Sequence, residues 1–471
     1  MTTMDIGVMG LAVMGQNLVL NIESRGHSVA VYNRTEEKIR TFIENRTEGK
    51  NIEAAYDIKK FVASLSRPRK VFLMVKAGGP TDALIHTLLP LLEPGDILMD
   101  GGNALYADTD RRCKAAEELG ILYLGVGVSG GEIGALLGPA IMAGGSKAAY
   151  GVVGPILESI AAVGPQGRCC AYFGTGSAGH YVKMVHNGIE YAIMQALCEA
   201  YDLMHRGLGM SATEMADIFQ QWNEGELECY LAEITEKILR QKDPEGTGPL
   251  VERILDTAAQ KGTGKWTSQS ALDQGSPSPS IAAAVFARII SSLKTDRVAA
   301  EPLLPGPTPK LSLEREEAVQ ALFSSTLLTS LSAYSQGFRQ LRDASEERGY
   351  GLDLREVARV WMAGCIIRAR LLVPMGKAFQ RQPDLSLLLL AEPFRLLWEK
   401  HHAPFRKIVA RAHEAGIPVP AMSSALDFID GYRTGRSPAN LLQAQRDCFG
   451  AHTYQRTDRE GIFHTEWEQV R

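Results

Sequence analysis

Residues 180–194 (HYVKMVHNGIEYAIM) place a base, an acid and hydrogen-bonding groups at helical spacing. At about 100° per residue, the polar members of this stretch share an arc of roughly 140° on a helix. These members are Lys183, His186, Asn187, Glu190 and Tyr191. The opposite side is apolar and would anchor the helix in a core. Taken alone, the pattern is more typical of a solvated helix face than of a site for acid–base chemistry. The choice between these two interpretations depends on what the rest of the sequence predicts.

The composition is that of an ordinary globular protein. The chain has 471 residues, 45% hydrophobic and 22% charged, which is enough for two or three domains. A formal net charge of −4 gives no basic footprint for nucleic acid. Seven cysteines without a CxxC pair favour a reducing compartment over disulfides or a zinc site. We expect a cytoplasmic protein without a signal peptide, bound metal or membrane span, and interpret the apolar run 121–145 as two buried strands around a loop.

The first third of the chain predicts a dinucleotide-binding unit. An apolar strand around Ile6 and Val8 leads into a glycine turn, a helix up to Gly26 and a second strand at 29–32. In this context a glycine pattern indicates a pyrophosphate site at a helix N-terminus. The turn consists of Gly10, Leu11, Ala12, Val13, Met14 and Gly15. Ala12 replaces the usual middle glycine, and a turn that only connects two elements is the alternative.

The residues after the second strand indicate which dinucleotide is bound. NAD sites usually offer an Asp or Glu there to the ribose 2′-hydroxyl. This chain has Asn33, Arg34 and Thr35 instead, and the first carboxylate is Glu36. Because a guanidinium can grip a 2′-phosphate that a carboxylate would repel, we predict NADP rather than NAD. An arginine without a ligand on a surface loop is the alternative.

Three further strand–loop units continue the βα pattern. Their strands end in glycine-containing loops at 76–79, 100–103 and 127–131. Because the carboxyl ends of parallel strands meet at one edge, we expect these loops to share a rim with the glycine turn. The last loop offers the hydroxyl of Ser129 and the unobstructed amides of the two glycines after it, which suit an anionic group. For any single loop, a plain connection without a ligand is the alternative.

Beyond residue 176 the sequence patterns are helical as far as about residue 437. An aliphatic residue followed by x3-Trp-x2-Gly occurs at 218–225 and again at 357–364, which suggests a duplicated helical unit. We therefore predict an α/β Rossmann-type dinucleotide-binding domain at 1–176. A large all-α domain with internal duplication follows at 177–437, and a C-terminal tail at 438–471.

Two basic positions in the helical region are candidates for binding an anion. The segment from Lys261 to Lys265 places glycine amides beside lysines, although Trp266 excludes a Walker loop. Arg288 interrupts an apolar helical run. An arginine in that position is more often part of a buried ion pair, or extends its head group to solvent, than it is a ligand-binding residue.

The C-terminal tail differs in character from the helical region. It is polar and too short for a domain, yet it carries Phe449, Tyr454, Phe463 and Trp467. A disordered segment rarely has so many aromatic residues. We interpret the tail as an ordered arm that docks on another surface, such as a second subunit.

Several of these segments together resemble the family of decarboxylating 6-phosphogluconate dehydrogenases, a branch of the β-hydroxyacid dehydrogenases. They are GLAVMG at 10–15, NRT at 33–35, MVKAG at 74–78, VSGGEIGA at 128–135, KMVHNGIEY at 183–191, KGTGKWT at 261–267 and QAQRDCFGAHTY at 443–454. The resemblance runs nearly from end to end. Two departures concern local packing: Cys448 stands where the family usually has an aromatic residue, and segment 276–280 is more polar than expected.

The resemblance implies a set of site residues. NADP would be bound by Gly10, Leu11, Ala12, Val13, Met14, Gly15, Asn33, Arg34, Thr35, Val75, Lys76, Ala77 and Asn103. Substrate would be bound by Asn103, Ser129, Gly130, Gly131, His186, Asn187, Tyr191, Lys261, Arg288, Arg446 and His452. Lys183 would be the base and Glu190 the acid. Arg446 and His452 would reach into the partner subunit's site, so activity would require a homodimer.

The implied reaction converts 6-phosphogluconate to ribulose 5-phosphate and CO2 while NADP is reduced. A lysine acts as a base only when neutral, and we expect burial together with the cations Lys261 and Arg288 to lower the pKa of Lys183. One alternative is a β-hydroxyacid dehydrogenase for an unphosphorylated acid, in which Lys261, Arg288 and Arg446 would have no purpose. The other is an NADP-binding sensor without catalysis, against which the intact Lys183 and Glu190 argue.

Overall fold

The computed structural model of the protein describes residues 3–467 and divides into two units between Ala425 and Leu426. The first unit contains a sheet with its covering helices and then a long helical region. The second unit contains the C-terminal segment. Within residues 3–467, no helix is both long and apolar enough to span a bilayer. The domain bounds 1–176, 177–437 and 438–471 stay a prediction.

The strands of the first unit are β1 Ile6–Met9, β2 Val29–Tyr32, β3 Ile52–Ala54, β4 Lys70–Leu73, β5 Ile97–Asp100, β6 Leu122–Ser129, β7 Ala140–Gly145, β8 Val163–Gly164, β9 Gly167–Arg168 and β10 Cys170–Tyr172. Among the described residues, eight of them form one sheet in the order β10-β7-β6-β5-β4-β1-β2-β3. Its neighbouring strands are parallel except for the antiparallel pair β6–β7. The predicted loops after β1, β4, β5 and β6 therefore do share one rim, and the loop after β2 lies at the same rim because β2 is parallel to β1.

Helices cover both faces of this sheet. They are α1 Val13–Ser24, α2 Glu36–Arg46, α3 Ile58–Ala63, α4 Gly79–Leu88, α5 Tyr106–Glu117, α6 Gly131–Leu137 and α7 Lys147–Ile160. Alternate residues of β1 enter separate hydrophobic clusters, Ile6 and Val8 in one and Met9 in the other, because strand side chains alternate between faces. The Rossmann-type prediction is confirmed.

The interpretation of run 121–145 as two strands around a loop is wrong in one respect. The two strands exist, but α6 occupies the connection between them. Its backbone is held against α1 by two long-range hydrogen bonds, from Asn17 to the Glu132 carbonyl at 2.8 Å and from Asn21 to the Ala135 carbonyl at 3.1 Å. Glycines lower helix propensity, so the local sequence gives little indication of this tertiary support.

The region after the sheet is helical, as predicted. Its helices are α8 Ala178–Asp202, α9 Ala212–Asn223, α10 Tyr230–Arg240, α11 Thr263–Gln274, α12 Pro279–Ser292, α13 Lys294–Ala300, α14 Arg315–Arg348, α15 Leu354–Val360, α16 Leu372–Arg381, α17 Glu392–Glu414 and α18 Pro420–Tyr432. The 25-residue helix α8 packs against β6, β7, α5, α11, α12 and α14. Trp222 and Trp361 each lie at the end of a helix that follows a long helix, an order that agrees with the predicted duplication, which stays a prediction.

The polar segment 276–280 has a structural explanation. Ser276 donates to the Asp343 carboxylate at 2.7 Å, and Ser280 exchanges hydrogen bonds with the Gln336 side chain at 2.8 and 3.0 Å. Asp343 and Gln336 both belong to α14. Buried hydroxyls with partners are tolerated in a core, so the segment packs through hydrogen bonds rather than apolar contacts.

The described part of the second unit, residues 426–467, is ordered, as its aromatic residues indicated. It contains the end of α18, the helix α19 Ala439–Gly450 and an antiparallel bridge between Tyr454 and Phe463. Asp447 is fully buried and accepts hydrogen bonds from Thr453 N at 2.9 Å and Trp467 Nε1 at 2.9 Å. A single carboxylate therefore holds the segment after α19 against that helix.

Candidate active site

The glycine turn lies at the N-terminus of α1. Gly10 has a φ of 107°, and a Cβ there would overlap the Met74 carbonyl oxygen, so the turn requires glycine. The N-cap residue Ala12 makes no side-chain cap, and the first turn of α1 contains no acidic residue. The first amides of the helix are thus left open to an anion, and the turn fits a dinucleotide pyrophosphate.

The end of β2 is fixed beside this turn. Asn33 Oδ1 accepts a hydrogen bond from the Leu11 amide at 3.1 Å, and its Nδ2 donates to the Thr35 carbonyl at 3.0 Å. Arg34, between them in sequence, is exposed and has no ion-pair or hydrogen-bond partner anywhere in residues 3–467. Its guanidinium is available for a phosphate on the ribose of a bound dinucleotide.

The next two rim loops contain four of the predicted cofactor-binding residues. Lys76 and Asn103 are exposed, whereas Val75 and Ala77 are half-buried. The Lys76 carbonyl accepts from Thr81 Oγ1 at 3.0 Å, which fixes the backbone of that loop at the start of α4. Both loops lie on the same rim as the glycine turn, and Val75 also packs against the hydrophobic cluster on one face of the sheet.

The polar stripe of α8 is buried at Lys183, His186 and Tyr191 and half-buried at Asn187 and Glu190, so the solvated-face alternative is wrong. Lys183 is 5% exposed and His186 is 0% exposed. A Cβ at Gly127 of β6 would overlap the Cβ of Lys183, so glycine at this position lets α8 lie directly on the strand. This close approach brings Lys183 to the carboxyl end of β6, beside the loop that begins at Ser129.

Four side chains in this place form one hydrogen-bonded cluster. Lys183 Nζ donates to Asn187 Oδ1 at 2.7 Å, and His186 Nδ1 lies 2.9 Å from the same oxygen. His186 Nε2 lies 3.2 Å from Ser129 Oγ. Burial lowers the pKa of His186 well below its ordinary value, and the nearby Lys183 acts in the same direction. A neutral imidazole can donate from Nδ1 to Asn187 and accept the Ser129 hydroxyl at Nε2.

Burial also shifts the pKa values of Lys183 and Glu190, the predicted base and acid. Desolvation lowers the pKa of Lys183 to about 8, while Glu190 and Cys365 act in the opposite direction. Desolvation raises the pKa of Glu190, against the attraction of Lys183 and Arg288. The predicted effect of burial on the pKa of Lys183 is confirmed, but the predicted effect of Lys261 and Arg288 is wrong, because Arg288 acts on the pKa of Glu190 instead.

Arg288 lies at the far end of the stripe. Its guanidinium carbon is 3.5 Å from the centroid of the Tyr191 ring, a close cation–π contact. One of its nitrogens donates to Met194 Sδ at 3.4 Å. Instead of forming a buried ion pair or reaching into solvent, Arg288 stacks on a residue of the stripe. Glu190, one residue before Tyr191, has its Oε2 atom 4.0 Å from His186 Nδ1.

The glycine–lysine segment reaches the stripe through its backbone and Thr263. Asn187 Nδ2 donates to Thr263 Oγ1 at 3.2 Å, and Gly264 packs on the Tyr191 ring so closely that a Cβ there would overlap it. The N-terminus of α11 therefore lies against the stripe, while the side chain of Lys261 is exposed. Thr263 was missed from the sequence, although the segment that contains it was singled out for its lysines.

Two predicted site residues lie in the second unit. Arg446 and His452 are both exposed; Arg446 donates to Gln443 Oε1 at 3.0 Å, and the His452 ring packs edge-on against Phe449 at 5.8 Å. The sequence also missed Trp361, whose ring packs edge-on against His186 at 5.7 Å. Trp361 had been noted only as part of a repeat, and no local signal places it beside a histidine 175 residues earlier.

A sheet that fits a dinucleotide, with a buried lysine–imidazole–amide cluster at its rim, defines a class: the nicotinamide-dinucleotide dehydrogenases of hydroxy acids. The family models for the NAD binding domain and the C-terminal domain of 6-phosphogluconate dehydrogenase match residues 5–174 and 179–467. The chain belongs to the 6-phosphogluconate dehydrogenase family.

Individual relatives agree with this assignment over the full length. The NADP(+)-dependent, decarboxylating 6-phosphogluconate dehydrogenase of Bacillus subtilis is 53% identical over 99% of this chain and 100% of its own. The decarboxylating 6-phosphogluconate dehydrogenase of Synechococcus elongatus is 52% identical over 99% and 100%. The Plasmodium falciparum 6-phosphogluconate dehydrogenase, solved alone, with its cofactor NADP+ and with its substrate 6-phosphogluconate, superimposes with a TM-score of 0.93 at 42% identity, covering 98% of this chain and 100% of that one.

Proposed function

We propose that this protein catalyses the oxidative decarboxylation of 6-phosphogluconate to ribulose 5-phosphate and CO2, with reduction of NADP, a reaction of the pentose phosphate pathway. The observation that carries the proposal is the buried Lys183, bonded to Asn187 and set beside the Ser129–His186 pair. Full-length relatives that carry this activity in their names support it. The same cluster would suit an unphosphorylated hydroxy acid, but those relatives favour the phosphorylated substrate.

The cofactor site consists of the rim residues. The pyrophosphate binds at the N-terminus of α1, and the exposed guanidinium of Arg34 takes the 2′-phosphate. Val75, Lys76, Ala77 and Asn103 line the neighbouring loops. When bound, NADP accepts the hydride from C3 of the substrate.

Lys183 acts first as the base. Its neutral form removes the proton of the C3 hydroxyl as the hydride leaves, and its lowered pKa makes that form accessible near neutral pH. The ammonium that results polarises the new C3 carbonyl, which accepts the electrons released when CO2 departs. Asn187 orients the lysine through its 2.7 Å hydrogen bond. Ser129, Gly130 and Gly131 bind the substrate beside it.

Glu190 acts in the last step as the acid. The departure of substrate C1 as CO2 leaves an enediol, and a proton delivered to substrate C2, which becomes C1 of the product, gives ribulose 5-phosphate. Glu190 lies two helical turns from Lys183 on the same face of α8, and burial raises its pKa so that it holds a proton at higher pH than an exposed glutamate. General acid–base catalysis of this kind contributes roughly 10²–10⁴-fold to the rate of a step.

The phosphate and the remaining hydroxyls of the substrate need further partners. Tyr191, Lys261 and Arg288 provide them from one subunit, and Arg446 and His452 provide them from the tail of a second copy, so the active form is a homodimer. Large exposed apolar side chains on α12 and α13, among them Phe286 at 63% and Val298 at 53%, support the proposal that a second copy covers this surface.

The free cysteines support a reducing, cytoplasmic location.

The test of the proposed function is a coupled assay of the purified protein. With NADP and 6-phosphogluconate it should release NADPH and CO2 in equal amounts, and Lys183→Met should release neither. Absence of turnover by the wild-type protein would refute the proposal. Faster turnover of 3-hydroxyisobutyrate than of 6-phosphogluconate would favour the unphosphorylated alternative.

A further inference from the structure

We propose that Arg112, Asp100 and His180 form a buried positioning network that holds two cofactor loops and the Lys183 helix in one fixed arrangement. The inference rests on the proposed function, since it assigns the loops after β4 and β5 to the cofactor. None of the three residues is placed to touch the reacting atoms. Their effect would be exerted through the backbone segments that they join.

Arg112 is the first of the connecting residues. It belongs to α5, and its side chain is 1% exposed. Its guanidinium donates hydrogen bonds to three different residues. Its nitrogens donate to Asp100 Oδ2 at 3.1 Å, to Asp82 Oδ1 at 2.8 Å and to the Gly78 carbonyl at 3.2 Å. The last contact fixes the loop between β4 and α4, one residue after Ala77. The guanidinium reaches these acceptors from three separate nitrogens, whereas all three donors of a lysine ammonium group lie on one nitrogen.

Asp100 is the second connecting residue and stands at the carboxyl end of β5. Its fully buried carboxylate accepts from Arg112 and from the Tyr123 hydroxyl at 3.1 Å, while Oδ1 accepts from the Gly102 amide at 3.0 Å. The bond to Gly102 shapes the loop that leads to Asn103. Arg112 and Asp100 therefore connect the loop after β4 directly to the loop after β5.

His180 extends the network to the catalytic helix. Its Nε2 donates to the Asp100 carbonyl at 3.0 Å, and its Nδ1 lies 2.7 Å from Thr109 Oγ1. The ring is buried, and burial lowers its pKa, so the neutral ring donates from Nε2 and accepts the Thr109 hydroxyl at Nδ1. His180 precedes Lys183 by one helical turn on α8. The base is thus tied to the same aspartate that shapes the loop of Asn103.

A second ion pair of this domain lies at the amino ends of the strands, on the side of the sheet opposite to the cofactor rim. Arg69 and Asp96 immediately precede β4 and β5 and meet at 2.8 Å, with side chains 11% and 4% exposed. This pair is far from the loops that bind the cofactor, because those follow the carboxyl ends of the strands. Buried ion pairs add little net stability compared with apolar packing, so stability alone does not distinguish the two pairs. Arg69→Lys is therefore a matched control for Arg112→Lys.

The test compares matched variants of the full-length protein. Arg112→Lys should lower kcat/KM for NADP on the order of a hundredfold, because small misplacements of reacting groups have effects of that size. Arg69→Lys should lower the melting temperature as much but leave both kinetic constants within about twofold of wild type. His180→Leu should lower kcat more than it raises KM for NADP, and should enlarge the isotope effect with substrate deuterated at C3. His180→Gln, which offers an amide N–H near the position of Nε2, should recover most of the loss.

The inference would be overturned if Arg112→Lys had the kinetic constants of the wild type while its melting temperature was as low as that of Arg69→Lys. So would equal kinetic losses in His180→Gln and His180→Leu, because the hydrogen bond to Asp100 would then not matter. If His180→Leu does not fold, the comparison of Arg112→Lys with Arg69→Lys decides alone. If the wild-type protein does not turn over 6-phosphogluconate, the proposed function fails, and weaker NADP binding by Arg112→Lys in a fluorescence titration still tests the network.

Discussion

Lys183 and Glu190 lie on the same face of α8, and burial moves their pKa values toward each other. A lysine in water is protonated at neutral pH and a glutamate is ionised, so neither could do its proposed task there. Desolvation favours the neutral form of both groups, whereas their mutual attraction favours the charged forms. The protonation states of the proposed base and the proposed acid therefore depend on each other.

The pH dependence of the reaction should show this base. Because Lys183 must be neutral to accept the C3 proton, log kcat/KM should fall by one unit per pH unit once the pH drops below about 8. Glu190→Gln removes a negative charge that raises the pKa of Lys183, so the acid limb should move to lower pH in this variant. The same variant should lose roughly 10²–10⁴-fold in kcat because an amide is no general acid. Steady-state rates from pH 5 to 10 measure both effects, and an acid limb that does not move would contradict the coupling.

In the proposed cofactor site, the preference for NADP depends on Arg34. Arg34→Glu replaces a free guanidinium with a carboxylate, which would repel the 2′-phosphate but not a 2′-hydroxyl. We expect a loss of NADP affinity on the order of a hundredfold, with NAD affinity nearly unchanged. Arg40→Glu, on the exposed face of α2 beside Tyr56, is the control for the change of net charge alone. Equal losses for both dinucleotides in Arg34→Glu would refute the role in binding the 2′-phosphate.

At the scale of elements, the sequence predicted those parts of the fold whose signals are local. The glycine turn, the strands of the rim and α8 all follow from short-range patterns, and so does the arc from Lys183 to Tyr191. Whether that arc faces water or a site could not be read from the helix, because Gly127 of β6 creates the close approach that buries it. Thr263 and Arg112 were missed for the same reason: their partners are far away in sequence.

The junction between α8 and α18 should make stability depend on pH. Glu199 is buried on α8, and its carboxylate accepts the first amides of α18, Ala421 N at 2.8 Å and Met422 N at 2.9 Å. Desolvation nevertheless raises its pKa to about 7, against these hydrogen bonds. The folded state thus binds the proton more tightly than the unfolded chain, so this contribution is greatest below about pH 4.5 and is lost as the pH rises through 7.

The measurement is thermal unfolding between pH 5 and 8. Glu199→Gln behaves as a permanently protonated group, so its stability relative to wild type should increase with pH, by a few kcal/mol at most, about 1.4 kcal/mol per unit of pKa shift. Glu44→Gln, at an exposed position of α2, should show no such trend. A constant difference between Glu199→Gln and wild type across this range would contradict the prediction.

The conformation of the tail after α19 depends on hydrogen bonds to the side chain of Asp447. Four donors converge on its buried carboxylate: Thr453 N, His464 Nδ1, Thr465 N and Trp467 Nε1. Asp447→Asn turns one acceptor into a donor, so part of this cluster must break and release the segment that carries His452. We expect kcat/KM for 6-phosphogluconate to fall on the order of a hundredfold while NADP affinity is retained.

A control for this substitution exists in the same unit. Asp458 is exposed and pairs with Arg456 at 2.6 Å, so Asp458→Asn removes one charge without disturbing a buried cluster. This variant should keep the kinetic constants of the wild type. Wild-type kinetics in Asp447→Asn would show that the arrangement of the tail does not matter for the reaction.

At the scale of the whole molecule, the proposed site residues are divided between the two units. Lys183 and Glu190 belong to the first, and Arg446 and His452 belong to the second, where both are exposed. In the proposed homodimer each site takes its base and acid from one subunit and its tail residues from the other. Exposed apolar residues of the second unit, Phe449 at 76% and Leu441 at 63%, fit a segment that becomes covered on association.

Complementation between two inactive variants tests this exchange of tails. A Lys183→Met homodimer lacks the proposed base in both sites and an Arg446→Ala homodimer lacks Arg446 in both tails, so we expect little turnover from either. In a heterodimer, the subunit with Arg446→Ala keeps Lys183 and receives the intact tail of its partner, which restores one of two sites. Co-expression with random pairing should then recover about a quarter of the wild-type activity, since half of the dimers are mixed and have one complete site each. Lys183→Met with Glu190→Gln is the matched control, because both residues come from one subunit and no complete site can form. If Lys183→Met and Arg446→Ala gave no more activity together than this control pair, Arg446 would act within its own chain, and the homodimer would not be required for the site.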